Sequence, residues 1–284
     1  MHSNEIRRYP VANGIFYPDN ALKLKKQLDN WGLKKGEDAN SSGYEFIIAP
    51  HGAWNLTGNT LSTAFSALQK ESKNPSNPLS TVVLLGSHPN SLEEGIFLSE
   101  SNFFETPLGQ IAVDLKLSKK LVSCSTLIKM NDIPHLIDHS LEVLLPMVKY
   151  CFPDVKIIPI LISGKKAALI SALAGALKIV FNRKVKNSLF IVSSNVSQDK
   201  NPVLASFMAE EFTNLLEKMD SEAFNKCLTE GRISASGSVA VAALMESKLF
   251  EYRKLNPLSP IEKRKGETGD TVYFGAFCST LAIQ

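Results

Sequence analysis

Two histidines, His51 and His88, each stand where an apolar run breaks off: IIAPHG at 47–52 and VVLLGSH at 82–88. An imidazole at such a point can coordinate a metal ion through either ring nitrogen, or exchange hydrogen bonds with a ligand, while the preceding strand fixes its place. Asn195 ends a third run, SLFIVSSN at 188–195. Three distant segments are therefore expected to bring polar side chains to one rim. A histidine at a strand end also serves structurally, by bonding a loop carbonyl, and the two readings are evenly balanced for the pair. His139, in DHSLEVLLP at 138–146, is expected to open a helix. There it caps the helix, pairs with an acid or faces the same rim, and spacing alone favours the structural role. Ser236-Gly237-Ser238 precedes another helical run and leaves backbone N–H groups facing outward, a modest anion site.

The elements that must position these residues read as alternating strand and helix. Continuous apolar runs at 44–51, 80–88, 155–162 and 188–195 suit strands buried on both faces, and TVYFGAF at 271–277 suits a further one. Between them, Leu61, Ala64, Phe65 and Leu68 recur at helical spacing. The segment from Asp138 repeats this with Leu141, Leu144, Leu145 and Val148, and more helices are expected over 166–181, 202–218 and 237–250. Segments 35–43, 72–79 and 254–270 carry the Pro, Gly, Asn and Ser of loops. The expected fold is α/β: one domain over 1–284, a sandwich whose mainly parallel or mixed central sheet is flanked by helices. Ligands in such sheets sit beyond the carboxyl ends of the strands, where His51, His88 and Asn195 fall.

Composition limits the partners. A net charge of +3, from 31 basic and 28 acidic side chains, gives no strong field, which argues against a nucleic-acid or membrane-surface binder and favours small-molecule or protein partners. The four cysteines are dispersed without a C-x-x-C pair, so no zinc or disulfide framework is expected and a reducing cytoplasm fits. The N-terminus, MHSNEIRRYP, lacks the apolar stretch expected of a signal peptide, and no run reaches the roughly 18 apolar residues that a membrane span needs.

The order of the motifs resembles the Memo family, the AmmeMemoRadiSam system protein B group, whose fold is similar to that of LigB-type class III extradiol dioxygenases. The family's AVAGxFYP is matched by PVANGIFYPD at 10–19, and its PHAGYxYSG by Pro50 to Gly58. GPSH is matched at Gly86 to His88, TPLG at Thr106 to Gly109 followed by Val113 and Asp114, and EHSLEVQLPF at Asp138 to Met147. SGD is echoed by Thr268-Gly269-Asp270. The resemblance spans nearly the whole chain, from Arg8 to about Phe277.

Two departures fall on the residues with chemistry. Where the family has SSDFSH this chain has Ser193 to Gln198, so an aspartate and a histidine are replaced by Asn195 and Gln198. Where the family has CG before a helix, this chain has Ser236-Gly237. The resemblance implies a metal pocket, for iron or copper, formed by His51, His88 and that cysteine; Ser236 offers only a neutral oxygen in place of a soft thiolate. The preferred expectation is a binding or regulatory protein with a degenerate site, lined by His51, His88, His139, Asn195, Gln198, Ser236 and Gly237 and taking a small molecule, an anion, a peptide or a partner protein. The alternative is a metal-dependent oxidoreductase with His51 and His88 as ligands and His139 as the remaining proton-transfer candidate. A hydrolase using Ser193 or Ser194 is a third reading, without the G-x-S-x-G elbow.

Overall fold

The computed structural model describes residues 5–33, 46–70, 79–87, 93–182, 187–251, 253–266 and 268–281. His88 and the expected loop at 35–43 lie outside the described residues, as does most of the loop at 72–79. The chain runs β1 (Arg7–Arg8), α1 (Ala21–Asn30), β2 (Phe46–Ala49), α2 (Trp54–Lys70), β3 (Thr81–Ser87), β4 (Gly95–Leu98), β5 (Phe103–Phe104), β6 (Ile111–Ala112), α3 (Leu115–Val122), β7 (Ile128–Met130) and α4 (Ile133–Ile137). It continues through a short 3-10 turn (Glu142–Leu144), α5 (Leu145–Cys151), β8 (Lys156–Ser163), α6 (Ala167–Phe181), β9 (Ser188–Ser193), β10 (Ser197–Asp199), α7 (Pro202–Lys218), α8 (Ser221–Thr229) and α9 (Ser238–Glu246). It closes with β11 (Arg253–Pro257), β12 (Glu262–Lys265), β13 (Thr271–Phe274) and β14 (Phe277–Leu281).

An eight-stranded mixed sheet in the order β11-β14-β2-β9-β3-β8-β4-β7 forms the centre. β2, β9, β3 and β8 are mutually parallel, so their carboxyl ends share one edge. β14 and β4 run antiparallel to β2 and β8. Both faces are covered, as the unbroken apolar strands require. In β2, Phe46 and Ile48 join one core while Ile47 and Ala49 join the other, and Val83 and Leu85 alternate in the same way with Val82 and Leu84 in β3. One core receives α3 and α6 to α9, the other α1, α2 and α5. Each fully buried Ile, Leu or Phe contributes about 1.5–3 kcal/mol of apolar transfer, which fixes the strand ends in place. No helix among the described residues is long and apolar enough to cross a membrane.

Three expectations from the sequence are corrected. The segment 254–270 is not a loop: it holds β11 and β12, two edge strands whose Lys, Arg and Pro content masked them. TVYFGAF is not one strand but the whole of β13 and the first residue of β14, in different sheets. The helix expected from Asp138 begins only at Leu145. Asp138 accepts bonds from the Ser140 hydroxyl (2.8 Å) and the Leu141 amide (3.0 Å), holding a turn, and Pro146, without an N–H, is suited to the first turn of a helix.

Candidate functional site

Ala49 lies beside Ser193 in the parallel β2–β9 register. Two residues beyond Ala49, the chain therefore returns His51 to the end of β9, where its Nδ1 lies 2.9 Å from the Ser193 hydroxyl. Gly52 then turns the backbone through φ +133°, a conformation that L side chains rarely adopt. α2 starts two residues later and is tied to the N-terminal segment by the Trp54 amide on the Phe16 carbonyl (2.8 Å).

The hydrogen-bond directions at His51 are determined by the groups themselves. The Ser193 hydroxyl has one proton and donates it to the Ser140 carbonyl at 2.6 Å. It can only accept from His51, so Nδ1 carries the ring proton and Nε2 presents a bare lone pair. Burial, and then the neighbouring His139, pull the His51 imidazole down to about 4. At neutral pH it is an uncharged acceptor. His139 is exposed; its ring meets His51 edge-on at 6.1 Å between centroids and stacks on Phe16 at 4.7 Å. It stands before the short 3-10 turn and faces the site, so the expectation that it opens a helix is corrected. Burial pushes the Asp138 carboxyl above its ordinary range, against the opposing bonds from Leu141 and Ser140.

A second hydrogen-bond chain occupies the other side of the β9 end. The Ser236 amide can only donate, and it donates to Asn195 Oδ1 at 2.7 Å, with the Ser236 hydroxyl on the same oxygen at 3.0 Å. The Ser236 hydroxyl in turn accepts from the Asn195 amide at 3.2 Å. Asn195 must then direct Nδ2 at Gln198 Oε1 (3.3 Å), and the exposed Gln198 directs its own NH2 at the Asp270 carboxylate. Hydrogen bonds from Thr268 and Gln198 hold Asp270 below the usual carboxylate range. Each member fixes the orientation of the next. Gly237 lets this loop close: a Cβ there would stand 2.5 Å from Ser194 Cβ and press on the Ser193 carbonyl.

These bonds overturn two expectations from the sequence. The backbone N–H groups at 236–238 are not available to an anion, because they bond Asn195 Oδ1, Ser194 Oγ (2.9 Å) and the Ala235 carbonyl (3.1 Å). Ser193 and Ser194 are not placed as nucleophiles. Both are buried, and their protons go to the Ser140 and Asn195 carbonyls.

The described donors do not fit a three-ligand metal centre. Asn195 Oδ1 already holds two donors, and Ser236 is a neutral hydroxyl committed to Asn195. Among the described residues, no three His, Cys, Asp or Glu side chains come together. His51 Nε2 is the imidazole donor the geometry offers to a metal or a ligand. The other expected ligand, His88, lies outside the described residues.

A buried ion pair in the surroundings went unnoticed in the sequence. Arg8 and Glu142, each about 1% exposed, form an ion pair. Glu142 also accepts from the Ala12 amide and the Tyr17 hydroxyl, both at 2.8 Å, and from the Val11 amide at 2.9 Å. Arg8 also donates to the His135 and Asp138 carbonyls (2.9 and 2.8 Å). This cluster clamps the segment bearing Phe16 to the loop bearing His139. The signal for it was an acid inside the apolar run LEVLLP, where a charge must find a partner.

Comparison with known proteins gives the family. A family profile described as Memo-like protein matches residues 8–259. The chain is 27% identical to a MEMO1 family protein of Nitrosopumilus maritimus over 84% of this chain and 86% of the relative. It is 29% identical to one of Pyrococcus furiosus over 78% and 76%. An uncharacterized Escherichia coli K12 protein of known crystal structure shares the fold with a TM-score of 0.54 at 11% identity, covering 82% of this chain and 98% of that one. With a matching profile over most of its length, the chain belongs to the Memo family.

Proposed function

We propose that this protein is a Memo-family binding or regulatory protein that keeps the pocket at the strand ends without a competent dioxygenase centre. The observation that carries the reading is the closed chain Ser236–Asn195–Gln198–Asp270, which uses up the polar atoms at the positions where the resembling pattern has a thiolate, an aspartate and a histidine. Neutral amides and a hydroxyl hold their protons near neutral pH, and a serine oxygen holds a soft divalent ion poorly. What remains open is an uncharged acceptor, His51 Nε2, beside the ring of His139, which in turn stacks on Phe16. That combination suits recognition of a ligand.

The test is metal content of the protein purified without chelator and then reloaded with iron or copper, beside the variant Asn195→Asp/Gln198→His/Ser236→Cys. The unmodified protein is expected to hold well under one equivalent and the triple variant to approach one. Stoichiometric metal in the unmodified protein, lost in His51→Ala and His88→Ala, would instead favour the metal-dependent oxidoreductase reading.

A further inference from the structure

Three of the parallel strands, β9, β3 and β8, start side by side. In their register Thr81 of β3 stands between Ser188 of β9 and Lys156 of β8, and side chains at paired positions project to the same face of the sheet. The next residues on that face, Val83, Phe190 and Ile158, enter the core that also takes Leu117 of α3. Lys156, Thr81 and Ser188 therefore form a polar row at the amino ends of the strands, on the α3 side. The chain brings α3 to that row: Val113 bridges Ile157 in parallel, and the Asp114 amide donates to the Ile157 carbonyl at 2.9 Å. The row, together with Leu79, Asp114, Leu117 and Asp154, lines a cavity of about 520 Å³, within the range of about 300–1,000 Å³ typical of small-molecule sites. β3 is 7 residues long, so this edge of the sheet lies about 20 Å from the edge that carries His51.

The wall has a definite charge pattern: two carboxylates, Asp114 and Asp154, and one ammonium, Lys156. Asp114 caps α3 through one oxygen, which accepts from the Leu117 amide at 3.0 Å; its second oxygen can accept from a ligand. Thr81 is 3% exposed, and its hydroxyl lies 3.4 Å from that of Ser80, a long contact. Ser80 directs its own proton to the Asn187 carbonyl at 3.2 Å, so the Thr81 oxygen can accept from an occupant of the cavity. A simple anion would meet two negative groups against one positive, and a bare metal cation would meet Lys156. A ligand with two positive groups and one negative group matches the wall, and its methylenes suit Leu79 and Leu117.

We propose that this amino-end cavity is a second ligand site, separate from His51, and that it takes a basic amino acid. The two cationic groups serve Asp114 and Asp154, the carboxylate serves Lys156, and the methylene chain lies against Leu79 and Leu117. The site functions whether or not the His51 edge holds a metal.

Four probes test the charge pattern: L-lysine, pentane-1,5-diamine, L-norleucine and L-glutamate, titrated into the full chain at neutral pH by calorimetry and backbone amide NMR. L-Lysine is expected to bind most tightly, the diamine and L-norleucine each about threefold more weakly for one lost ion pair at a partly exposed site, and L-glutamate most weakly. The Thr81, Leu117 and Ser188 amides are expected to shift while that of His51 stays. Lys156→Met is expected to erase the advantage of L-lysine over the diamine. Asp154→Asn and Asp114→Asn are each expected to weaken L-lysine about threefold; asparagine at 114 keeps the helix cap. Lys156 and Asp154 are exposed, and thermal melts confirm that each variant folds. L-Glutamate binding as tightly as L-lysine, an advantage over the diamine that is absent from the unmodified protein or survives Lys156→Met, shifts centred on His51, or no saturation by any probe up to about 10 mM would overturn the proposal.

Discussion

Replacing Glu142 with glutamine keeps the side chain's shape and removes its charge, which leaves the Arg8 guanidinium buried opposite a neutral amide. The structure sets the magnitude. Arg8 and Glu142 are about 1% exposed, and the carboxylate accepts from the Val11 and Ala12 amides and the Tyr17 hydroxyl as well as from Arg8. Breaking a buried pair by removing one partner costs about 3–5 kcal/mol, or roughly 6–15 °C in melting temperature for a chain of this size. Arg8→Met strands the carboxylate instead and is expected to cost a similar amount. The double variant Arg8→Met/Glu142→Gln has no unpaired buried charge, so it is expected to be more stable than the sum of the single losses predicts, by at least about 2 kcal/mol. Thermal and urea unfolding of the four proteins measure this directly. Single variants that each cost under about 1 kcal/mol, or losses that simply add, would refute the reasoning. The same single variants are expected to loosen the turn that carries His139, because Arg8 also holds the His135 and Asp138 carbonyls.

Gly237→Ala is expected to destabilise the protein by about 1–3 kcal/mol, since its Cβ would collide with Ser194 and the Ser193 carbonyl; a melting temperature unchanged from the parent would contradict the close packing of that loop. Folding stability of metal-free protein is expected to fall as pH drops from about 6.5 to about 4. Over that window the unfolded chain protonates His51 while the folded one does not; allowing for the ring's partial exposure, the loss is about 2 kcal/mol. His51→Gln is expected to flatten the slope in that window, and an equally steep slope would show that the ring is not held neutral. Asp220→Ala removes the acceptor for the Glu222 and Ala223 amides at the start of α8 and is expected to cost about 1 kcal/mol, read by thermal denaturation away from the site.

Much of the architecture was legible because burial on both faces leaves a simple trace. The apolar stretches 189–192 and 157–162 within the runs at 188–195 and 155–162 have no polar interruption, and they became the bodies of β9 and β8, which both flank β3 in the sheet. Edge strands leave no such trace: β12 reads EKRK and β11 carries Arg253, Lys254 and Pro257, because each has one side open. In the site, the residue types at Asn195, Gln198 and Ser236 were readable, but not that they would satisfy one another, since this depends on the approach of a loop 41 residues away from Asn195. Ser193 drew attention as a nucleophile when its role is to orient His51. Only the three-dimensional direction of its single proton distinguishes the two.

The most direct measurement is the nitrogen-15 NMR spectrum of the His51 side chain at neutral pH, in the unmodified protein and in Ser193→Ala. A protonated Nδ1 with an unprotonated, metal-free Nε2 in the unmodified protein, giving way to mixed tautomers in Ser193→Ala, is the expected result. A protonated Nε2, or a ring held by metal in protein as purified, would contradict the central claim that this pocket presents an uncharged acceptor fixed by Ser193 and Ser140.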